Sequence, residues 1–370
     1  MKRKKAGIKI FVSIIAILIG IAIGMTLTEV IRSSEGASPL FLVELIFAVI
    51  ISYYFMIITH EGGHLVFGLL LGYRFSSFRI GGLMIVKQGN GFVLRRFSLV
   101  GTGGQCLMSP PEEDEKARIV AYLLGGVIFN AIFSLLAMLL YIFFRDIPFL
   151  SPTLLIFSVL SAFTALTNGI PLNVSGIAND GMNALSLAKN EYAAKAFNNQ
   201  LRMNEAQTRG VALTDMPSEW FDIPRDADMR NVCLASIGVF RANRTLESGD
   251  TLTAEREISA LFRSGWGIIE LHRRLLSLDL IYCMLVNESG DPRPLVTPEL
   301  EKLMTAMKNF PSVLRTRYAM ARLMDHNEKA AEEIMARFEK ISKSYPYTAD
   351  IASERRLIAK IGEKAGQSTK

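Results

Sequence analysis

The chain has 370 residues, half of them apolar, and a mean hydropathy of +0.28. That is too apolar for an ordinary soluble protein, while 21% charged residues are too many for a chain lying wholly in lipid, so a membrane domain joined to one soluble domain is expected. The net charge of +6 comes with no nucleic-acid motif, which points to anionic lipid headgroups and away from nucleic acid.

A basic leader, Lys2, Arg3, Lys4, Lys5 and Lys9, precedes the first predicted span, Ile10 to Thr28. This apolar run is longer than a signal-peptide core and lacks a small-x-small cleavage site, so it reads as a retained anchor. The second predicted span covers about 39–72, the third about 119–144 and the fourth about 152–171. Basic residues crowd the leader and the segment between spans two and three, where Arg74, Arg79, Lys87, Arg95, Arg96, Lys116 and Arg118 lie. By the positive-inside rule both termini and that segment face the cytosol. Within it, about 79–97 reads as a β-hairpin, with Leu83–Val86 and Phe92–Leu94 flanking a Gly89-Asn90-Gly91 turn. Cys106, Cys233 and Cys283 are scattered, which fits a reducing compartment.

Span two carries His60-Glu61-Gly62-Gly63-His64, after Leu45 to Thr59, a run without formal charge. Ionisable groups at that depth are costly to insert and mark function. Positions i and i+4 share a helix face, so both imidazoles can reach one metal ion, with Glu61 beside them as a general base. From Glu44, near the outer interface, to His60 is 16 residues, roughly 24 Å of helix, which puts the motif in the inner part of the bilayer. Span four descends from the opposite side, so 168–180 arrives at a similar depth. A catalytic zinc takes three protein ligands, and His272 and His326 belong to the soluble part. Asp180, the sole carboxylate between Asp146 and Glu191, is the expected third ligand, although Asn-Asp-Gly also suits a helix cap or a turn. Glu61 would deprotonate the attacking water and later protonate the leaving amine.

These residues together resemble the site-2 proteases, the intramembrane zinc metalloproteases of peptidase family M50. The likeness rests on His60, Glu61 and His64, on Asn168-Gly-Ile-Pro171 followed by Asp180-Gly181, and on Gly125-Gly126-Val-Ile-Phe-Asn130 in span three; it covers about 40–185. Asp180 follows Pro171 by nine residues, a longer spacing than the family's usual one, so 172–178 is expected to bulge as a loop. The resemblance implies Zn²⁺ as cofactor, His60, His64 and Asp180 as ligands and Glu61 as base. It implies contact of Asn168 with substrate or the developing oxyanion, where an interhelical hydrogen bond is the alternative. It also implies a membrane-associated hairpin that could hold substrate as an added strand, and a transmembrane or membrane-associated protein as substrate in regulated intramembrane proteolysis. The location implied is a bacterial cell membrane.

After Gly181 the pattern is helical and amphipathic. Phe310-Pro311 and Tyr345-Pro346 stand 35 residues apart and bracket two helical segments, about 312–324 and 327–344, a spacing that resembles a tetratricopeptide-like array. The expected architecture is thus an all-α, multi-pass membrane protein with about four spans over 1–185, a small hairpin, and a cytosolic α-helical domain over 186–370 that could receive a protein partner. The competing reading is a metal-binding or metal-transporting membrane protein that uses the same His/His/Asp set; Glu61 separates the two, since transport needs no base beside the ligands.

Overall fold

The computed structural model describes Gly24, Thr28 and residues 39–89, 91–98, 102–112, 116–174 and 177–368. The first predicted span lies outside the described residues apart from Gly24 and Thr28. The protein is mostly helical, with a small antiparallel sheet. Its chain falls into two compact units: residues 1–73, 103–106 and 115–189, and residues 74–102, 107–114 and 190–370.

The first unit is built on three long helices, α1 (Pro39–Leu70), α2 (Lys116–Phe143) and α3 (Leu150–Gly169). All three are long and apolar enough to cross a membrane. Large apolar side chains stand outward, with Leu70 78%, Leu135 73% and Phe143 73% exposed, an arrangement that lipid tolerates and water does not. Small and hydroxylated residues face inward. Gly63 and Gly125 bring α1 and α2 together so closely that a Cβ on Gly63 would sit 2.3 Å from the Gly125 carbonyl oxygen. Ser134 and Ser158 tie α2 to α3, each hydroxyl donating to the other's carbonyl at 2.8 Å. Such contacts substitute for the hydrophobic effect, which does not operate between helices in lipid.

Local chemistry sets the helix ends. Gly72, at φ 85°, closes α1 with a left-handed residue, and Tyr73 N–H donates back to the Gly68 carbonyl at 2.9 Å, the bonding of a glycine helix stop. Pro171 forces Ile170 into extended backbone and ends α3 there. Beyond it, β5 (Asn173–Val174) pairs with β6 (Ile177–Ala178), and α4 (Asp180–Lys189) begins. The expected bulge is therefore a miniature hairpin.

The sheet has four strands where the sequence pointed to one hairpin. β1 (Arg74–Ile80), β2 (Leu83–Gln88), β3 (Gly91–Arg96) and β4 (Gly104–Ser109) lie in the order β3-β2-β1-β4. Ile80 pairs with Leu83 across the Gly81-Gly82 turn, and Gln88 with Gly91 across the next. Both turns open on a glycine at positive φ, Gly81 and Gly89, as two-residue hairpins require. β4 escaped sequence reading because Gly103-Gly104 looks like loop and Gly104–Ser109 shows no apolar alternation.

In the second unit the helices are α5 (Glu191–Thr208), α6 (Val232–Glu247), α7 (Thr251–Arg263), α8 (Glu270–Asn287), α9 (Pro298–Ala306), α10 (Pro311–Ala319), α11 (Glu328–Ser342) and α12 (Thr348–Ser368). Asn190, Asn231, Asp250, Thr297 and Asn327 cap five of them, each side chain accepting from a backbone N–H in the first turn. The two segments expected between Pro311 and Pro346 are α10, which runs on into a π turn at Met320–Met324, and α11. Buried Arg315 on α10 is held by Asp279 and Glu354 and lies over the Tyr282 ring at 4.6 Å. Such a pair costs much desolvation and fixes which helices meet more than it adds net stability.

Candidate metal centre

α1 carries His60 and His64 one turn apart on the face turned toward α2, and α4 delivers Asp180 to the same place. His60 Nε2 is 3.1 Å from Asp180 Oδ2, His64 Nε2 is 3.6 Å from it, and the two Nε2 atoms are 3.4 Å apart. These three are the group among the described residues whose ligand atoms converge tightly enough to hold a metal. Zinc with ligands at about 2.0–2.1 Å in a tetrahedron has ligand-to-ligand edges of about 3.3 Å, which the observed triangle matches.

The surroundings fix the imidazoles for that task. His64 Nδ1 donates to the Tyr122 carbonyl at 2.9 Å, which leaves its Nε2 lone pair aimed at the carboxylate. Two acceptors facing each other in a buried place call for a proton or a cation between them. Asp180 Oδ2 is itself buried without a hydrogen bond of good geometry. Asn130, fully buried on α2, reaches His60 Nδ1 at 3.3 Å through its Nδ2, while its Oδ1 is buried and unpartnered. Turning the amide over lets Oδ1 accept from His60 Nδ1–H and frees that ring's Nε2 as well, and amide orientation is assigned from such bonding. The donor set and its supports thus fit zinc.

Gly126 makes the room. A Cβ there would lie 2.7 Å from His64 Nε2 and 2.8 Å from His60 Cε1. Glu61 is buried on the other side of the motif, where Cys106 N–H donates to its carboxyl group. β4 passes so near that a Cβ on Gly104 would come within 2.7 Å of Glu61 Oε1. The Cys106 carbonyl in turn accepts from the Tyr122 hydroxyl at 2.9 Å.

His60, Glu61, His64 and Asp180 are therefore brought together from segments about 120 residues apart in sequence. Asn168 stands half-buried at the end of α3, and its side chain makes no hydrogen bond among the described residues. Tyr122, Gly104 and Cys106 were not legible as parts of the site, and Gly126 and Asn130 entered only through the family resemblance in span three. The glycine pair Gly125-Gly126 was the available signal for a close approach at that level.

A family model described as peptidase family M50 matches residues 47–350. The chain belongs to peptidase family M50. This is the site-2 protease family, whose members are metallopeptidases, and the match takes in the metal centre, the sheet and most of the helical unit. With three helices able to cross a bilayer, it is a membrane protein. No curated protein and no solved structure matches the chain.

Proposed function

We propose that this M50 chain is a multi-pass intramembrane zinc endopeptidase of the site-2 type, with about four spans, cytosolic termini and a site near the cytosolic face. Its substrate is a transmembrane or membrane-associated protein, cut as in regulated intramembrane proteolysis. The observation that supports this most is the convergence of His60 Nε2, His64 Nε2 and Asp180 Oδ2 at 3.1–3.6 Å with Glu61 next in sequence to the first ligand.

His60, His64 and Asp180 would hold the metal. When bound, zinc supplies Lewis acidity toward the scissile carbonyl and lowers the pKa of water. Glu61 accepts the proton of the attacking water and returns it to the departing amine, so the C–N bond breaks as the amine is neutralised. The Cys106 N–H holds that carboxyl group in place, and the small Gly104 lets β4 lie against it. Asn168 is assigned the developing oxyanion, through a side chain that makes no hydrogen bond among the described residues. An extended substrate is needed because a helix buries its amides. Cys106 on edge strand β4 is committed through both N–H and C=O, so the opposite edge, β3, is where a substrate strand would add. The helical unit would choose partners or substrates.

Glu61→Gln should keep about one zinc per chain and lose cleavage of a membrane-embedded substrate by roughly 10²-fold or more. Zinc analysis of purified protein with a peptide-release assay decides it. Wild-type protein that moves zinc across proteoliposomes, cleaves nothing and is unaffected by Glu61→Gln would favour transport instead.

A further inference from the structure

The unusual spacing between Pro171 and Asp180 raises the question of what aims the Asp180 carboxylate at the histidines. We propose that Asn179 is the positioning residue of the metal centre: its side-chain amide clips the end of α3 to the start of α4 and so sets where Asp180 falls. The inference rests on the metal reading above and adds a residue to it.

A carboxamide has two donor hydrogens and two acceptor lone pairs, and Asn179 uses all four. Its Nδ2 donates to the Thr167 carbonyl at 2.5 Å and the Ile170 carbonyl at 2.6 Å, both at the C-terminal end of α3. Its Oδ1 accepts from Leu172 N–H at 3.0 Å and from Met182 N–H at 2.9 Å, the second in the first turn of α4. One side chain therefore satisfies orphaned groups at a helix C-terminus and a helix N-terminus together. This bonding occupies the Asn179 amide fully and leaves it no lone pair for a metal.

Two further contacts close the same joint. Asn179 N–H donates to the Leu172 carbonyl at 3.1 Å, and Asn173 pairs with Ala178, so the inserted residues are pinched off at their base. Gly181 packs on the end of α3 so tightly that a Cβ would lie 2.2 Å from the Gly169 carbonyl oxygen. Asp180 thus sits between a side chain that grips α3 and a glycine that touches it. The extra chain length is taken up by the β5–β6 pairing, and the Asp180 carboxylate lies 3.1 Å from His60 Nε2. Groups that orient metal ligands are commonly worth 10- to 100-fold in metal affinity.

The test uses the full-length protein in detergent, with zinc affinity measured by chelator competition and ligand geometry read from the visible spectrum of the cobalt-substituted form. Asn179→Ala is expected to weaken zinc binding by about 10- to 100-fold and to alter the cobalt spectrum. Asn179→Ser can still cap α4 but is too short to reach the Thr167 and Ile170 carbonyls, so it should stay weak. Gly181→Ala leaves the amide intact and disturbs the joint from its other side, and should weaken zinc binding as well. Wild-type affinity and an unchanged spectrum in Asn179→Ala would overturn the proposal. So would full rescue by Asn179→Ser, which would reduce the residue to a helix cap. Wild-type protein that binds no zinc would remove the metal reading itself, and this inference with it.

Discussion

A single methyl group at Gly126 would occupy the space in front of both ligand nitrogens, 2.7 Å from His64 Nε2. Gly126→Ala should therefore cost most of the bound zinc while leaving the helices intact, as metal analysis beside circular dichroism would show. Full zinc occupancy in that variant would mean that the ligands do not converge there. This position was opaque in the sequence because its effect is tertiary: Gly126 matters through two side chains on another helix. His60, Glu61 and His64 were legible, since a spacing of four is a local helix property. Asp180 was expected beside the histidines by elimination and lies 3.1 Å from His60 Nε2, and Asn130 was seen without its contact to His60. A second residue far from the metal yields a pH prediction. Burial, with the nearby Glu354 and Glu247 charges, pushes the Asp350 carboxyl group up to about 7 from an ordinary 3.8, against a hydrogen bond from Gln207. Between about pH 4 and 7 the folded state then binds more protons than the unfolded state, so stability rises as pH falls through that window. The gain should be about 1–3 kcal/mol and should shrink in Asp350→Asn without vanishing, because burial also pushes the neighbouring Glu354 carboxyl group up to about 7. The chain's two tryptophans, Trp220 and Trp266, both lie in the helical unit, so fluorescence-detected unfolding at pH 5 and 7.5 reads it directly.

At the scale of elements, the sheet shows which strand can accept a partner. β3 pairs with β2 through Leu83↔Arg96 to Gln88↔Gly91 and, among the described residues, has no neighbour on its other side in the sheet. Adjacent residues in a strand point their amides in opposite directions, so of Val93 and Leu94 one serves the β2 ladder and the other faces outward. Proline at the outward position removes a free donor without adding charge. That variant should keep its zinc and its fold yet lose most cleavage of a membrane substrate; the inward one should damage the sheet. Unchanged cleavage in both would rule out β3 as the docking edge. The hairpin β2–β3 was legible because Gly89-Asn90-Gly91 is a local turn signal between apolar runs. β1 and β4 were not, because a strand after a helix stop and a strand opening on glycine are stabilised by partners distant in sequence. The helix boundaries at Gly72 and Pro171 were legible for the opposite reason, since glycine and proline act on their own backbone.

At the scale of the whole molecule, the proposed metal ligands and most of the sheet belong to different units. Residues 74–102 and 107–114 cluster with the helices after Asn190, while His60, His64 and Asp180 lie in the other unit with 103–106. The helical, amphipathic pattern after Gly181 marked a second domain, but it could not show that residues 74–102 belong with helices far later in the chain. Named contacts make the dependence concrete. Ser76 bonds Thr208 at 3.2 Å, the Phe97 ring meets Phe310, Tyr345 and Tyr347, and Arg202 donates to the Pro111 carbonyl at 3.0 Å. Ending the chain at Lys189 would strip the sheet of all these partners and leave an isolated set of strands, with Met84 and Val86, fully buried in the intact chain, open to solvent beside the already exposed Leu83, Ile85, Phe92 and Leu94. The truncated protein should therefore keep zinc, since all three ligands remain. It should become open to trypsin at Arg79, Lys87 and Arg95, and should lose hydrolysis of extended substrates along with any selectivity. The measurements are zinc content, limited proteolysis and peptide release on the same preparation. A truncated protein that resists trypsin across 79–96 and cleaves at the full-length rate would show that the sheet stands without the helical unit, and that the later helices serve selection alone.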